Sequence, residues 1–140
     1  MSETISLSTL GPHSPEYTVQ VANAMAECVR VLNHATRSDE AIGYPSTVYD
    51  VLGALYTATA RFPQLIDQLS GWLEHMTEVG SLGEDQHGDV IAAVAAAEEA
   101  LAHTSGLFGS ITSSLQAAQQ AISGLHLASQ DEEQRSDIAR

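Results

Sequence analysis

The stretch STVYDVLGALYTATARFPQLIDQLSGWLEHMTEV, residues 46–79, decides the fold of this chain. Apolar side chains recur in it every seven residues, a spacing typical of α-helices that pack lengthwise against other helices. No alternation of apolar and polar residues competes with this pattern, so a β-strand is not expected. The first apolar row consists of Val48, Leu55, Phe62, Leu69 and Met76, and the second of Leu52, Thr59, Ile66 and Leu73.

Pro63 lies in the middle of this stretch and would ordinarily interrupt a helix. Proline has no N–H to donate, and its ring crowds the preceding turn. Both apolar rows nevertheless continue past Pro63 in the same phase. The pattern therefore favours one long helix from Ser46 to Val79, capped by Ser46 and kinked near residues 61–63. Two helices that meet at Pro63 are the alternative.

A second long helix is predicted after the glycine-rich turn at residues 80–88. Asp89 is suited to cap this helix, which extends for roughly 35 residues towards Gly124. Small residues around Gly106 and Gly109 weaken its middle and leave room for a neighbouring helix. Its apolar residues again form two rows, which are Val94, Leu101, Phe108, Leu115 and Ile122, and Val90, Ala97, Thr104, Ile111, Ala118 and Leu125.

A shorter helix precedes these two. Ser14 can cap it, Pro15 suits the first helical position, and the apolar spacing predicts a helix from Pro15 to Arg37. Cys28 lies on the apolar row of this helix, so we expect a small buried thiol without a catalytic role. Residues 38–45 contain Gly and Pro and are expected to form a linker.

The fold class that follows is all-α: an antiparallel helical bundle of three long helices, completed by dimerisation. We expect a flexible arm at residues 1–14, the bundle domain at residues 15–125 and a disordered acidic tail at residues 126–140. The first helix is too short to cover the seam between the two longer ones. A second copy of the chain is the usual cover for such an apolar seam.

Homodimerisation through coiled-coil packing is therefore predicted, with a monomer whose helices bend to close the core as the alternative. Large aromatic side chains often anchor protein interfaces because they bury much apolar surface. The candidate interface residues are Tyr44, Tyr49, Tyr56, Trp72 and Phe108.

The charge of the chain excludes several functions. It has 18 acidic side chains, 5 Lys plus Arg residues and a formal net charge of −13. Direct binding of nucleic acid or of an anionic membrane surface needs clustered cations that this chain lacks. A partner protein with a basic surface would suit it better. Neither a signal peptide nor a run of roughly 20 apolar residues is present, so we expect a cytoplasmic protein.

Six histidines call for a test of metal binding. Glu99 and His103 share a helix face, and His75 lies near Glu78, but neither histidine is on an apolar row. The Glu84-x-x-His87 motif falls in the glycine-rich turn, whereas di-iron bundles need such motifs facing inward. We expect no metal and no other cofactor, with a metal- or ligand-binding bundle as an alternative.

No catalytic arrangement emerges from the remaining reactive side chains. Nucleophilic catalysis at Cys28 would need a base held nearby, and no pattern supplies one. Glu98 points partly inward, and an arginine such as Arg30 or Arg61 would be its ordinary partner. We therefore expect a chain that is not an enzyme.

Two stretches resemble known families. The pair Gly71-Trp72, in a hairpin rich in small residues, resembles the Trp-x-Gly family of type VII secretion substrates, which implies a secreted helical hairpin. The stretch PQLIDQLSGWLE, residues 63–74, is similar to small all-helical proteins of actinobacteria, some of them encoded in plasmids or integrative elements. This second resemblance implies an accessory role in such an element.

The sequence as a whole favours a non-enzymatic protein-interaction module. It would act as a scaffold, adaptor or regulator, would bind a second copy of itself and would bind another protein through its acidic surface. The accessory and secretion roles, and the ligand-binding bundle, are the alternatives.

Overall fold

The computed structural model describes residues 4–86, 88–128 and 138–139, and within these residues every regular element is helical. Predictions that fall on residues 1–3, 87, 129–137 and 140 lie outside the described part of the chain. The prediction of an all-α fold is confirmed. The helices are α1 (Pro15–Ala35), α2 (Asp39–Ile42), α3 (Pro45–Glu78) and α4 (Val90–Ala121).

The chain divides into two compact units, the first of which ends at Gly43. In this unit Ser14 caps α1 as predicted, because its Oγ accepts a hydrogen bond of 3.1 Å from the Tyr17 N–H. The Tyr17 hydroxyl donates to the Ser6 carbonyl at 2.9 Å and accepts from the Ser8 N–H at 3.0 Å. The His13 ring stacks on Tyr17. Tyr17 thus ties the segment before α1 to the first turn of α1.

The apolar row of α1 is not enclosed within this unit. Cys28 is exposed, so the expectation of a buried thiol is wrong. The reason is that α1 shares its unit with α2, which has four residues and is too short to cover a helix of 21. Met25 and Leu32 on the same row are also exposed.

The connection between α1 and α3 differs from the predicted linker. Residues 39–42 form the single turn of α2, which ends at Gly43 with φ of 69°, a left-handed value that favours glycine. Tyr44 then takes the N-cap position of α3 without a side-chain hydrogen bond. The predicted cap at Ser46 is therefore wrong. Pro45 occupies the first helical position, where its fixed φ suits the helix, and it moves the helix start ahead of Ser46.

The second unit, which begins at Tyr44, contains α3 and α4. The helix α3 continues through Pro63, as the unbroken apolar phase predicts. Asp89 caps α4 as predicted, and its Oδ1 accepts from the Ala92 N–H at 2.9 Å. Gly80 and Gly88, both with φ of 68°, shape the turn between the two helices. The result is a long helical hairpin.

Three hydrogen bonds and one ring contact establish the antiparallel register of this hairpin. They are the Thr112 hydroxyl to the Thr59 hydroxyl at 3.0 Å, the Ser105 hydroxyl to the Asp67 carboxylate at 3.4 Å, the Gln119 amide to the Tyr49 carbonyl at 3.1 Å, and Phe62 stacked on Phe108. Residue numbers rise along α3 as they fall along α4. The partial burial along both helices follows the same register.

The core between α3 and α4 is thin. Among the described residues Ile66 is the one classed as buried, with 7% of its surface exposed. The residues of α3 that face α4 form what we call the inner row, which consists of Leu52, Tyr56, Thr59, Pro63, Ile66, Ser70, Leu73 and Thr77. The second apolar row predicted for residues 46–79 is part of this inner row. The predicted bundle of three helices stays a prediction.

The two rows predicted for α4 differ in how they meet α3. The row of Val94, Leu101, Phe108, Leu115 and Ile122 does face α3. Its companion in the contact is polar, and consists of Glu98, Ser105, Thr112 and Gln119. Three of these side chains donate hydrogen bonds across the hairpin, and paired polar groups can occupy an interface at little net cost. In the predicted companion row Val90 and Ala97 are half-buried, whereas Thr104, Ile111, Ala118 and Leu125 are exposed.

Candidate interaction surface

A continuous apolar row of α3 lies beside the inner row and is covered only in part by α4, whose Phe108 ring stacks on Phe62. Its residues follow one another at alternating intervals of three and four, the spacing of a coiled-coil seam. Because a helix turns once in 3.6 residues, this row lies roughly a third of a turn from the inner row. We call it the outer seam, and it consists of Val48, Val51, Leu55, Ala58, Phe62, Leu65, Leu69, Trp72, Met76 and Val79.

The outer seam is more apolar than the row that packs inside the chain. All ten of its positions are apolar, whereas the inner row contains Thr59, Ser70 and Thr77 as well as Pro63. A heptad pattern of this quality is typical of a helix that packs against a second helix along its whole length. Within the hairpin, α4 packs against the poorer of the two rows.

Much of the outer seam is exposed. Six of its side chains have between 36% and 56% of their surface accessible, and they are Val48, Leu55, Leu65, Leu69, Trp72 and Val79. On α4, Leu107 and Ile111 are also exposed, and the antiparallel register places them on the same side of the hairpin. Together these eight side chains form an apolar side that extends over most of the length of α3.

The opposite side of α3 is polar. It carries Asp50, Arg61, Gln64, Gln68 and His75, all of them exposed. The helix α3 therefore has one apolar side and one polar side. In a surface helix of a closed fold the apolar stripe normally faces the core. Here the broader part of the stripe faces outward.

The five predicted interface residues lie in different places. Trp72 is on the outer seam, with 56% of its surface exposed. Tyr44 and Tyr49 are exposed at the end of the hairpin away from the turn, and Tyr56 is half-buried on the inner row. Phe108 faces α3, and its ring stacks on Phe62 within the same chain. The fold thus places Trp72 on the apolar side and does not bring the five together.

Sequence reasoning missed half of the outer seam. The predicted row of Val48, Leu55, Phe62, Leu69 and Met76 supplies every second residue of the outer seam. The other set lies three residues further along in each case, and consists of Val51, Ala58, Leu65, Trp72 and Val79. The signal was the seven-residue recurrence of this second set. Counting the polar residues at each of the seven heptad positions of residues 46–79 would have revealed this second set.

At the open end of the hairpin, which is the end away from the turn, a side chain of α4 lies close to the backbone of α3. The Gln119 amide reaches the Tyr49 carbonyl across α3, directly over Gly53. A Cβ at Gly53 would lie 2.6 Å from the Gln119 Nε2 atom. Gly53 is therefore the residue that lets this amide reach the backbone of α3.

Acidic residues concentrate at the turn end of the hairpin. Between residues 44 and 128 there are nine, and Asp50 and Asp67 are the two that lie elsewhere. The other seven are Glu74, Glu78, Glu84, Asp85, Asp89, Glu98 and Glu99. Arg61 is the single Lys or Arg residue in the same range. Within residues 44–128 the turn end is accordingly the more negative end of the hairpin.

The residues considered for metal binding are dispersed. His75 and His103 are both exposed, and His87 lies outside the described residues. Within residues 4–86, 88–128 and 138–139 no group of three or more His, Cys, Asp or Glu side chains is arranged to hold a metal ion. A shallow pocket of about 410 Å³ lies near the start of α1, lined by Thr4, Ile5, Ser6, Tyr17 and Gln20.

None of the helices in the described part of the chain is long and apolar enough to cross a bilayer. No protein-family model, curated protein or solved structure matches this chain. The resemblances to the Trp-x-Gly family and to actinobacterial helical proteins stay expectations from short stretches.

Proposed function

We propose that this chain is a non-enzymatic protein-interaction module that self-associates through the outer seam of α3. The observation that supports this proposal is a ten-position apolar seam with heptad spacing, six of whose side chains are at least 36% exposed. Contiguous exposed apolar surface of this kind is costly in water and marks interaction sites in natural proteins. A scaffold, adaptor or regulator is the role that such a surface serves.

In a symmetric dimer the same surface patch of each copy forms both halves of the interface. A patch that is complementary to itself therefore favours self-association over binding of an unrelated partner. The outer seam is apolar at every position along its length, so it can pair in register with the outer seam of a second copy. The polar side of α3 and the acidic turn then stay in water. There they suit a second partner with a basic surface and disfavour anionic ones.

A charge on the outer seam tests this proposal. Leu69→Glu places a carboxylate at an exposed seam position near the middle of α3, where 52% of the leucine surface is accessible. Because the residue is exposed in one copy, the hairpin should still fold, but pairing of two copies would bury the charge. We expect self-association to weaken at least tenfold, measured by sedimentation equilibrium and by light scattering on a size-exclusion column.

Gln64→Glu is the matched control, because it adds the same charge at an exposed position about 130° around α3 from the seam. This variant should associate like the parent chain. A parent chain that is monomeric at tens of micromolar would overturn the proposal, and so would equal effects of the two substitutions. Circular dichroism of each variant verifies that helix content is unchanged.

A further inference from the structure

The orientation of the two copies follows from the charge and the side-chain sizes of the hairpin, and this inference rests on the self-association proposed above. Two helices with apolar seams can pair in parallel or antiparallel. The two arrangements bring different ends of the hairpin together. They also bring different seam residues opposite each other.

Charge distinguishes the two arrangements. A parallel pair would gather the acidic turn ends of both copies at one end, where like charges repel. An antiparallel pair separates them by about 50 Å, the length of a 34-residue helix, which is far beyond the Debye length of about 8 Å at physiological salt. Each acidic end then lies beside the other copy's open end, near Tyr44.

Side-chain size is consistent with the antiparallel arrangement. When the two copies of α3 are centred between Pro63 and Gln64, every position of the outer seam lies opposite another position of the seam. In four of the five opposed pairs a larger residue then meets a smaller one, which lets the layers interdigitate. The opposed pairs are Val48 with Val79, Val51 with Met76, Leu55 with Trp72, Ala58 with Leu69, and Phe62 with Leu65.

The available area agrees with what a stable dimer needs. Eight exposed side chains at roughly half exposure present on the order of 700 Å² of apolar surface per copy, or about 1,400 Å² for two. Specific interfaces bury about 1,200–2,000 Å² in total. We infer that the occupant of the outer seam is the same seam of a second copy, antiparallel to the first, in a four-helix core with acidic turns at opposite ends.

Distances between labels in the full-length chain test the orientation. In a Cys28→Ala background, Ser46→Cys and Ser81→Cys each offer an exposed position near one end of α3 for a spin label. The antiparallel pair places residue 46 of one copy beside residue 81 of the other. Mixed Ser46→Cys and Ser81→Cys chains should therefore give a short distance by pulsed electron resonance. Ser81→Cys alone should give a distance of about 50 Å.

Each other outcome has a definite meaning. A short distance between two Ser81→Cys labels would show parallel pairing, and would overturn this inference while leaving the proposed self-association intact. A dimer with neither distance pattern would also overturn it, because the contact would involve another surface. Monomers without any dipolar signal, as expected if the chain's own α1 covers the seam, would overturn both proposals. Leu69→Glu should abolish the signal.

Discussion

The ring of Phe62 on α3 stacks on the ring of Phe108 on α4, with centroids 4.7 Å apart and an angle of 2° between the planes. Phe62 belongs to the outer seam, whereas Phe108 faces α3. The stack therefore brings a ring of the outer seam into contact with a ring that packs inside the hairpin. Stacked aromatic pairs contribute about 0.5–1.5 kcal/mol beyond the burial of their surface.

Loss of the Phe62 ring and loss of the Phe108 ring should have different effects on stability and on self-association. Phe108→Ala removes a half-buried ring from the hairpin, and we expect the free energy of unfolding to fall by about 1–3 kcal/mol, less than for a fully buried ring. Phe62→Ala should lower the free energy of unfolding and also weaken self-association. Urea denaturation and sedimentation equilibrium measure the two quantities separately. Equal weakening of self-association by both variants would contradict the assignment of Phe62 to the outer seam.

The glycines of the hairpin should respond to alanine to different degrees. Gly106 and Gly109 lie inside α4 with nothing within 4 Å of an added Cβ, so Gly→Ala should raise the free energy of unfolding by about 0.5–1 kcal/mol at each. At Gly53 the added Cβ would displace the Gln119 amide from the Tyr49 carbonyl. The lost hydrogen bond of about 1 kcal/mol should offset the helical gain there. Thermal unfolding of the three variants tests this contrast.

The cap of α4 offers a substitution with a closely matched control. Asp89→Ala removes the oxygen that accepts from the Ala92 N–H, and should lower the free energy of unfolding by about 1 kcal/mol. Asp89→Asn keeps an acceptor oxygen at the same place and should have little effect. Chemical denaturation at constant ionic strength separates the two. A similar loss in both variants would mean that the charge, and not the hydrogen bond, stabilises the helix start.

The hydroxyl pair between the helices should prove dispensable when both members are removed. The Thr112 hydroxyl donates to the Thr59 hydroxyl, which in turn donates to the Tyr56 carbonyl at 3.0 Å. The double variant Thr59→Val with Thr112→Val replaces both by methyl groups of the same shape. We expect its free energy of unfolding to equal or exceed that of the parent, because no polar group is left unpaired. A loss of more than about 1.5 kcal/mol would contradict this reading.

The ion pair on α1 should be visible by titration. The Arg30 guanidinium donates to both carboxylate oxygens of Glu27, at 3.0 and 2.9 Å, and these hydrogen bonds hold the pKa of Glu27 below its usual value. Because the folded pKa is lowered, the pair stabilises α1 above the unfolded pKa, and this contribution is lost as the pH falls through the folded pKa. Arg30→Gln should raise the pKa of Glu27, measured by NMR.

Local signals predicted the helices well. Seven-residue spacing, the caps at Ser14 and Asp89 and the unbroken phase through Pro63 are all properties of neighbouring residues, and the helix bounds follow from them. The prediction for Cys28 was wrong because burial needs a partner element, which a helix pattern does not supply. The turn of α2 was missed because four residues carry no periodicity.

The sequence by itself determined that α3 has two apolar rows, against either of which α4 could pack. Only the tertiary structure decided which row α4 covers. The physical reason is that α4 meets α3 partly through polar side chains, and Ser105, Thr112 and Gln119 bond across the hairpin. Hydrogen bonds between paired polar groups are invisible to a pattern of apolar residues. They direct α4 to the less apolar row, and the more apolar outer seam is left for another helix.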